Sequence, residues 1–356
     1  MEPNRIWHHP EVVIHSNWTA PRERSIAKGY DVANRRWYAL KVEAEIKDRA
    51  WLASTLTTYI TKHYSEYGEP PPWNTIHLNA QRNLVSFQRR PYEEISWSLQ
   101  NSFQYVYQRD HKMRTMPFSD LRDLTYINRS TDRCTWDNRD CVFKRIDFDF
   151  DVEGVQNEIQ IHETLSRYIT KHFFPTYHYF RIIASEQIED YMGRHFCLVP
   201  ILAVVTATEQ PWKDGCVAGI LMPYVGEDLE TLVQKDKAGL PLSIGHLLAF
   251  VRAVQELAKS GVQHGEITYW HTLFQPPGQC CRPGRLMLTN NGSLAPEHYD
   301  DSRALGELLL WCLQNAPGLR KNRGTKALVV AAASALFNGN FEDAIKCLSL
   351  KNEMVW

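Results

Sequence analysis

The chain has eight cysteines and 14 histidines, the residue types most able to hold a metal ion or to take part in redox chemistry. No two cysteines form a C-x-x-C pair, and none has a zinc-finger spacing with histidine. Cys280 and Cys281 are adjacent in a loop rich in proline and glycine, where they could be a redox-active pair or, as we prefer, two free thiols. We therefore expect reduced cysteines, as in a cytosolic protein.

The charged residues are nearly balanced, with 40 Lys and Arg against 41 Asp and Glu. This balance does not favour nucleic acid or a membrane surface as a partner, because both attract a basic excess. A basic cluster at 320–326 is best interpreted as the solvated start of a helix, and less well as a site for an acidic partner. The N-terminus has no apolar signal segment, and the most apolar window, 327–337, is too short to span a bilayer. We expect a cytoplasmic protein.

The elements that must position the remaining candidates fall into two parts. Residues 1–115 are predicted to be an N-terminal extension without an assigned function, in which the first 40 residues form an irregular arm. Apolar residues at three- and four-residue steps predict a helix over 41–67, and two short alternating runs at 75–78 and 84–87 predict a hairpin.

Residues 116–356 change from strands to helices. Strands are predicted at 124–127, 141–146, 198–206 and 218–224, and helices at 155–169, 246–260, 301–315, 326–337 and 341–350. A strand-rich part followed by a helix-rich part predicts an α+β fold with two lobes and a cleft between them.

Five short motifs follow one another in this second part: V-F-K-R-I at 142–146, N-E-I-Q-I at 157–161, I-L-M-P-Y at 220–224, H-G-E at 264–266 and D-S-R-A-L-G at 301–306. Their order and spacing resemble the protein-kinase-like fold, particularly the divergent kinase-like proteins frequent in filamentous fungi. The resemblance implies a bilobal kinase-like domain over 116–356. It would have a small β-rich N-lobe at about 121–224 and an abbreviated helical C-lobe at about 225–356.

The resemblance also implies a nucleotide pocket. Lys144 would contact phosphates and pair with Glu158 on the following helix, and Met222 and Tyr224 would lie at the hinge. The alternative is that Lys144 is a strand lysine for which Glu158 is only a structural partner.

Three residues correspond to the catalytic loop and its support. His264 would brace the loop, and Asp301 would accept backbone N–H bonds from it or cap its own helix. Glu266 stands at the position of the catalytic aspartate, where it is either a residual base or, as we prefer, a hydrogen-bond anchor.

The magnesium ligands of the family are missing. His271 replaces an asparagine, and Asn290 replaces the metal-binding aspartate, while no aspartate occurs between Glu266 and Asp300. Imidazole and a neutral amide are poor ligands for Mg²⁺. The segment 128–134, which would cradle phosphates, has no glycine. We therefore expect no Mg²⁺ site, and leave ATP binding open.

These departures favour a pseudokinase that acts as a regulatory or scaffold protein for an unknown protein partner. One alternative is an unconventional nucleotide-dependent phosphotransferase that keeps ATP binding through Lys144. Another is an unrelated two-lobed interaction protein, because fold does not imply activity.

Overall fold

The computed structural model describes residues 8–20, 24–34, 36–89, 103–105, 113–128, 130–146, 149–173, 185–207, 215–236, 239–277, 284–289 and 300–350. These residues form three β-sheets and a set of helices, so the predicted α+β class is confirmed. Among them, no helix combines the length and apolar character needed to cross a membrane.

The N-terminal part is a five-stranded sheet with one helix. Its elements are β1 (Val12–Ala20), β2 (Arg24–Asp31), β3 (Arg36–Val42), α1 (Arg49–Tyr67), β4 (Thr75–Leu78) and β5 (Leu84–Gln88). The strands lie in the order β1-β2-β3-β4-β5, and only β3 and β4 pair in parallel, since α1 crosses over between them. Leu52, Leu56 and Ile60 of α1 are buried against the sheet.

Two predictions for this part are wrong and one is confirmed. The first 40 residues contain three strands instead of an irregular arm. The sequence did not show this, because β3 is buried along most of its length and therefore has no simple alternation of apolar and polar residues. The helix begins at Arg49 and not at 41, since Lys41 and Val42 still belong to β3 and the Asp48 side chain caps the helix by accepting the Trp51 N–H. The hairpin is confirmed as β4 and β5.

The central part is a six-stranded sheet in the order β6-β10-β11-β9-β8-β7. Its elements are β6 (Thr115–Pro117), a single helical turn (Phe118–Asp120), β7 (Arg122–Asn128), β8 (Thr131–Trp136), β9 (Arg139–Arg145), α2 (Asp149–Phe173), α3 (Ser185–His195), β10 (Ala203–Thr206) and β11 (Val217–Pro223). The strand predicted at 198–206 begins only at Ala203, because Leu198 makes an isolated bridge to Leu288 instead.

The C-terminal part is mainly helical and confirms the predicted helices, with shifts of a few residues at their ends. Its elements are β12 (Glu227–Asp228), α4 (Leu229–Lys235), α5 (Ile244–Lys259), β13 (Thr272–Gln275), β14 (Arg285–Leu288), α6 (Asp301–Asn315), α7 (Pro317–Arg320), α8 (Arg323–Phe337) and α9 (Phe341–Ser349). The strands β12, β13 and β14 form a small antiparallel sheet. A single apolar core joins α5, α6, α8 and α9.

The N-terminal sheet also touches the central sheet. Tyr30 and Trp37 lie on the face of the N-terminal sheet opposite to α1, with only 2% and 8% of their surfaces exposed. Val32, which follows β2, and Tyr126, which belongs to β7, pack against them. Because β7 is the outermost strand of the central sheet, this cluster joins the two sheets at one edge.

Candidate functional site

A lysine and a glutamate from consecutive elements meet in the central part. Side chains alternate along β9, so Cys141, Phe143 and Arg145 are buried on one face while Lys144 lies on the other. Its ammonium group forms an ion pair with Glu158 of α2, whose side chain is only 5% exposed. Burial raises the pKa of Glu158, although the charge of Lys144 opposes this shift. The structure therefore brings together the two residues that the sequence pairs.

A glycine on β11, the strand paired with β9, makes room for the backbone of Lys144. A Cβ atom on Gly219 of β11 would lie 2.2 Å from the backbone oxygen of Lys144 and 2.7 Å from the Phe143 ring. No real Cβ atom approaches backbone that closely. Glycine at this position therefore permits the close pairing of β9 and β11, and this pairing fixes the position of the Lys144 backbone.

Lys144 lies on the wall of a cavity of about 790 Å³. The size is in the range of small-molecule sites. The cavity is lined by residues of β7, β8, β9 and the end of β11, and by further residues within 224–235 and 270–273. Met222 and Tyr224 both line it, as do Val142, Val199, Leu273 and Thr289.

The loop before β13 is held by a buried histidine. His264 is 1% exposed, and its Nε2 lies 3.0 Å from the backbone oxygen of Thr289 while its Nδ1 accepts the Glu266 N–H at 3.2 Å. These partners require a neutral ring protonated on Nε2. Burial lowers the pKa of His264 to about 3. The structural role expected for His264 is thus present.

Asp301 anchors the same loop. Its two carboxylate oxygens accept the backbone N–H groups of His264 at 2.7 Å and of Gly265 at 2.9 Å. The neighbouring Asp300, and not Asp301, caps helix α6 by accepting the N–H groups of Ser302 and Arg303. Of the two interpretations of Asp301, the loop anchor is confirmed and the helix cap is wrong.

Glu266 and His271 are bound to each other. His271 Nδ1 lies 3.4 Å from the Glu266 carboxylate and 3.2 Å from the Glu266 backbone oxygen. Because a backbone oxygen can only accept, Nδ1 carries a proton and donates it to the Glu266 backbone oxygen. His271 and Lys144 line the same cavity, so this loop and the Lys144–Glu158 pair border one site. Asn290 lies outside the described residues, which at this point end with Thr289.

Sequence reasoning missed two contacts at the mouth of the cavity. The Arg133 guanidinium lies 4.2 Å from the centre of the Tyr224 ring and makes two hydrogen bonds to Asp140. The Trp270 indole N–H donates to Glu230 of α4. The only signal in the sequence was the residue types, since Trp270 and Glu230 are 40 positions apart.

The described part of the chain contains no group of side chains that could bind a metal ion. There, no three residues among His, Cys, Asp and Glu are grouped as metal ligands would be. The six described cysteines form no disulfide, as expected, whereas Cys280 and Cys281 lie outside the described residues. Buried Cys134, Cys141, Cys197 and Cys312 have pKa values raised by burial, which makes them poor nucleophiles.

Comparison with known proteins returns no match, either to a protein-family model or to a curated protein.

Proposed function

We propose that the chain is a protein-kinase-like protein that has lost phosphotransfer and acts as a regulatory or scaffold protein. In this proposal residues of about 121–224 are the small β-rich lobe and residues of about 225–356 the helical lobe. The nucleotide pocket of an active kinase corresponds to the cavity beside Lys144.

The positive support is the arrangement of the site. A strand lysine is paired with a helix glutamate, and the pair adjoins a cavity. The same cavity is lined by residues 222–228, at the end of β11 and directly after it. Beneath it, an aspartate at the start of α6 holds the loop after α5 by two backbone hydrogen bonds. Each of these relations is expected of a kinase-like domain.

The observation that carries the loss of activity is the mutual binding of Glu266 and His271. In the kinase-like interpretation these residues replace a catalytic base and a magnesium ligand, yet His271 Nδ1 donates to the Glu266 backbone oxygen and lies 3.4 Å from the Glu266 carboxylate. Magnesium requires oxygen ligands, and no aspartate lies between Glu266 and Asp300 to supply them. The donor set therefore does not fit Mg²⁺.

A regulatory role is supported by the contact between the two sheets. Tyr126 packs on Tyr30 and Trp37 of the N-terminal sheet, and the same residue lines the cavity. A ligand that contacts Tyr126 would therefore change the surroundings of the N-terminal sheet. Such a link is the kind of two-site coupling on which regulation depends.

The test is a phosphotransfer assay on the full chain with radiolabelled ATP, in separate reactions with Mg²⁺ and Mn²⁺. Autophosphorylation and transfer to casein are measured for the wild type, for Lys144→Met and for the matched control Lys235→Met, a second lysine on the cavity wall. We expect no incorporation above a heat-denatured sample in any protein. Transfer that is abolished by Lys144→Met and retained by Lys235→Met would overturn the proposal.

One observation favours an unconventional phosphotransferase as the second candidate. The Lys144–Glu158 pair is intact and adjoins an open cavity, as in a site that still positions phosphates. The same assay separates the two candidates, because the enzyme requires transfer that depends on Lys144.

A further inference from the structure

The cations on the cavity wall are already neutralised by this chain's own acids. Three of the described lining residues are Lys or Arg. Lys144 pairs with Glu158, Arg133 with Asp140, and Lys235 with Glu227. A bound phosphate would have to compete with a carboxylate for each of them.

Two further carboxylates on the wall have no cation at salt-bridge distance within the described residues. Asp228 accepts the Thr231 backbone N–H at 2.8 Å and the Thr231 hydroxyl at 2.7 Å. Glu230 accepts the indole N–H of Trp270. Both are held by neutral donors, and no cation neutralises them at close range. Beyond the three ion pairs, the described wall therefore carries an excess of negative charge, and a polyphosphate would be repelled.

The shape and chemistry of the wall suit a flat ligand with hydroxyl groups. Val142 of β9 and Leu273 of β13 come from different sheets and line the same cavity, together with Met222, the neighbour of Val142 on β11. Tyr224 and Trp270 add aromatic surface at the mouth, where Trp270 is 53% exposed. Apolar walls accept a planar ring, while carboxylates accept hydrogen bonds from uncharged hydroxyl groups.

We propose that the cavity binds a nucleoside-like ligand, a planar heterocycle with uncharged hydroxyl groups, and discriminates against the corresponding triphosphate. This inference rests on the proposed function, because a working phosphotransferase would have to prefer the triphosphate. It also goes beyond it, since it gives the retained cavity a ligand class of its own.

The experiment measures thermal shifts and calorimetric affinities of the full chain for adenosine, guanosine, cytidine and uridine and for their triphosphates, all in EDTA. We expect at least one nucleoside to bind, and to bind about tenfold or more tightly than its triphosphate at low salt. This difference in affinity should become smaller at high salt, because salt screens the charges. Asp228→Asn combined with Glu230→Gln should also narrow this affinity difference, since both changes remove a charge. Gln keeps an acceptor for the Trp270 N–H, and Asn keeps one for the Thr231 N–H while its amide group can donate to the Thr231 hydroxyl.

Glu256→Gln on α5, whose partner is Lys259, is the matched control and should leave the difference in affinity unchanged. Failure of all four nucleosides to bind would overturn the inference, and so would a triphosphate that binds more tightly than its nucleoside. If that triphosphate is not used for transfer, the inactive kinase-like protein stands and only the ligand class is wrong. Transfer that depends on Lys144 would instead overturn the proposed function.

Discussion

Acid should destabilise this protein through His264, and the size of the effect can be calculated. The folded state holds this ring neutral, with its pKa lowered from 6.5 to about 3 by burial. Between those values the unfolded chain binds a proton that the folded chain does not. Stability therefore rises with pH across this window and is lost as the pH falls through it.

The expected contribution of His264 is a loss of about 2 kcal/mol between pH 7.5 and pH 5. It hardly depends on the exact folded pKa, because at pH 5 the folded ring stays neutral whether its pKa is about 3 or about 4. Protonation of Nδ1 would also remove the acceptor of the Glu266 N–H. The structural and electrostatic arguments therefore have the same sign.

The assay is reversible urea unfolding of the wild type and of His264→Gln at both pH values. A second histidine, the partly buried His162, has a pKa lowered to about 4 by desolvation and will add its own loss of stability to both proteins. The prediction therefore compares two losses: on acidification from pH 7.5 to pH 5, the free energy of unfolding of the variant should fall by about 2 kcal/mol less than that of the wild type. His172→Gln, an exposed histidine, is the matched control. A difference below about 0.5 kcal/mol between the wild type and His264→Gln would refute the reasoning.

Three further predictions concern the fold around the site, and urea unfolding measures each. Asp301→Ala leaves two buried backbone N–H groups without an acceptor and should cost about 2–5 kcal/mol, whereas the helix cap variant Asp300→Ala should cost about 1 kcal/mol. Gly219→Ala places a Cβ 2.2 Å from the Lys144 oxygen and should cost about 3 kcal/mol or more. Trp37→Ala removes a large buried side chain from the contact between the sheets and should cost about 3–5 kcal/mol.

The contradicting outcomes differ among these three. Equal losses for Asp301→Ala and Asp300→Ala would remove the loop anchor from the argument. A Gly219→Ala variant as stable as the wild type would mean that β9 and β11 can separate at that point. A Trp37→Ala variant within about 1 kcal/mol of the wild type would mean that the face opposite α1 is not packed.

The long helices and the strands β7, β9 and β11 could be predicted because their patterns are local, whereas the sequence did not predict β6 and β8. In α5 apolar residues recur with the helical period, and the turn between β8 and β9 has Asp137 and Asn138 at positive φ, where such residues are common. The first three strands could not be predicted in this way. Tyr38 and Leu40 face α1 while Trp37 and Ala39 face the opposite side, and all four are buried.

The site shows the same division. The pairing of Lys144 with Glu158 could be predicted, since a strand and the following helix bring residues 14 positions apart together. The pairing of Glu266 with His271 could not, because a shared loop does not show which way two side chains turn.

The sequence by itself determined the long helices of the C-terminal part, the absence of aspartate between Glu266 and Asp300 and the near-neutral overall charge. Only the tertiary structure decided where those charges lie. Asp140 neutralises Arg133 across a hairpin, Glu227 neutralises Lys235 across α4, and Trp270 reaches Glu230 from a loop 40 positions away. Coulomb energies depend on distances in space, and a net charge of −1 is compatible with any arrangement of them. The negative excess on the cavity wall is therefore a property of the fold.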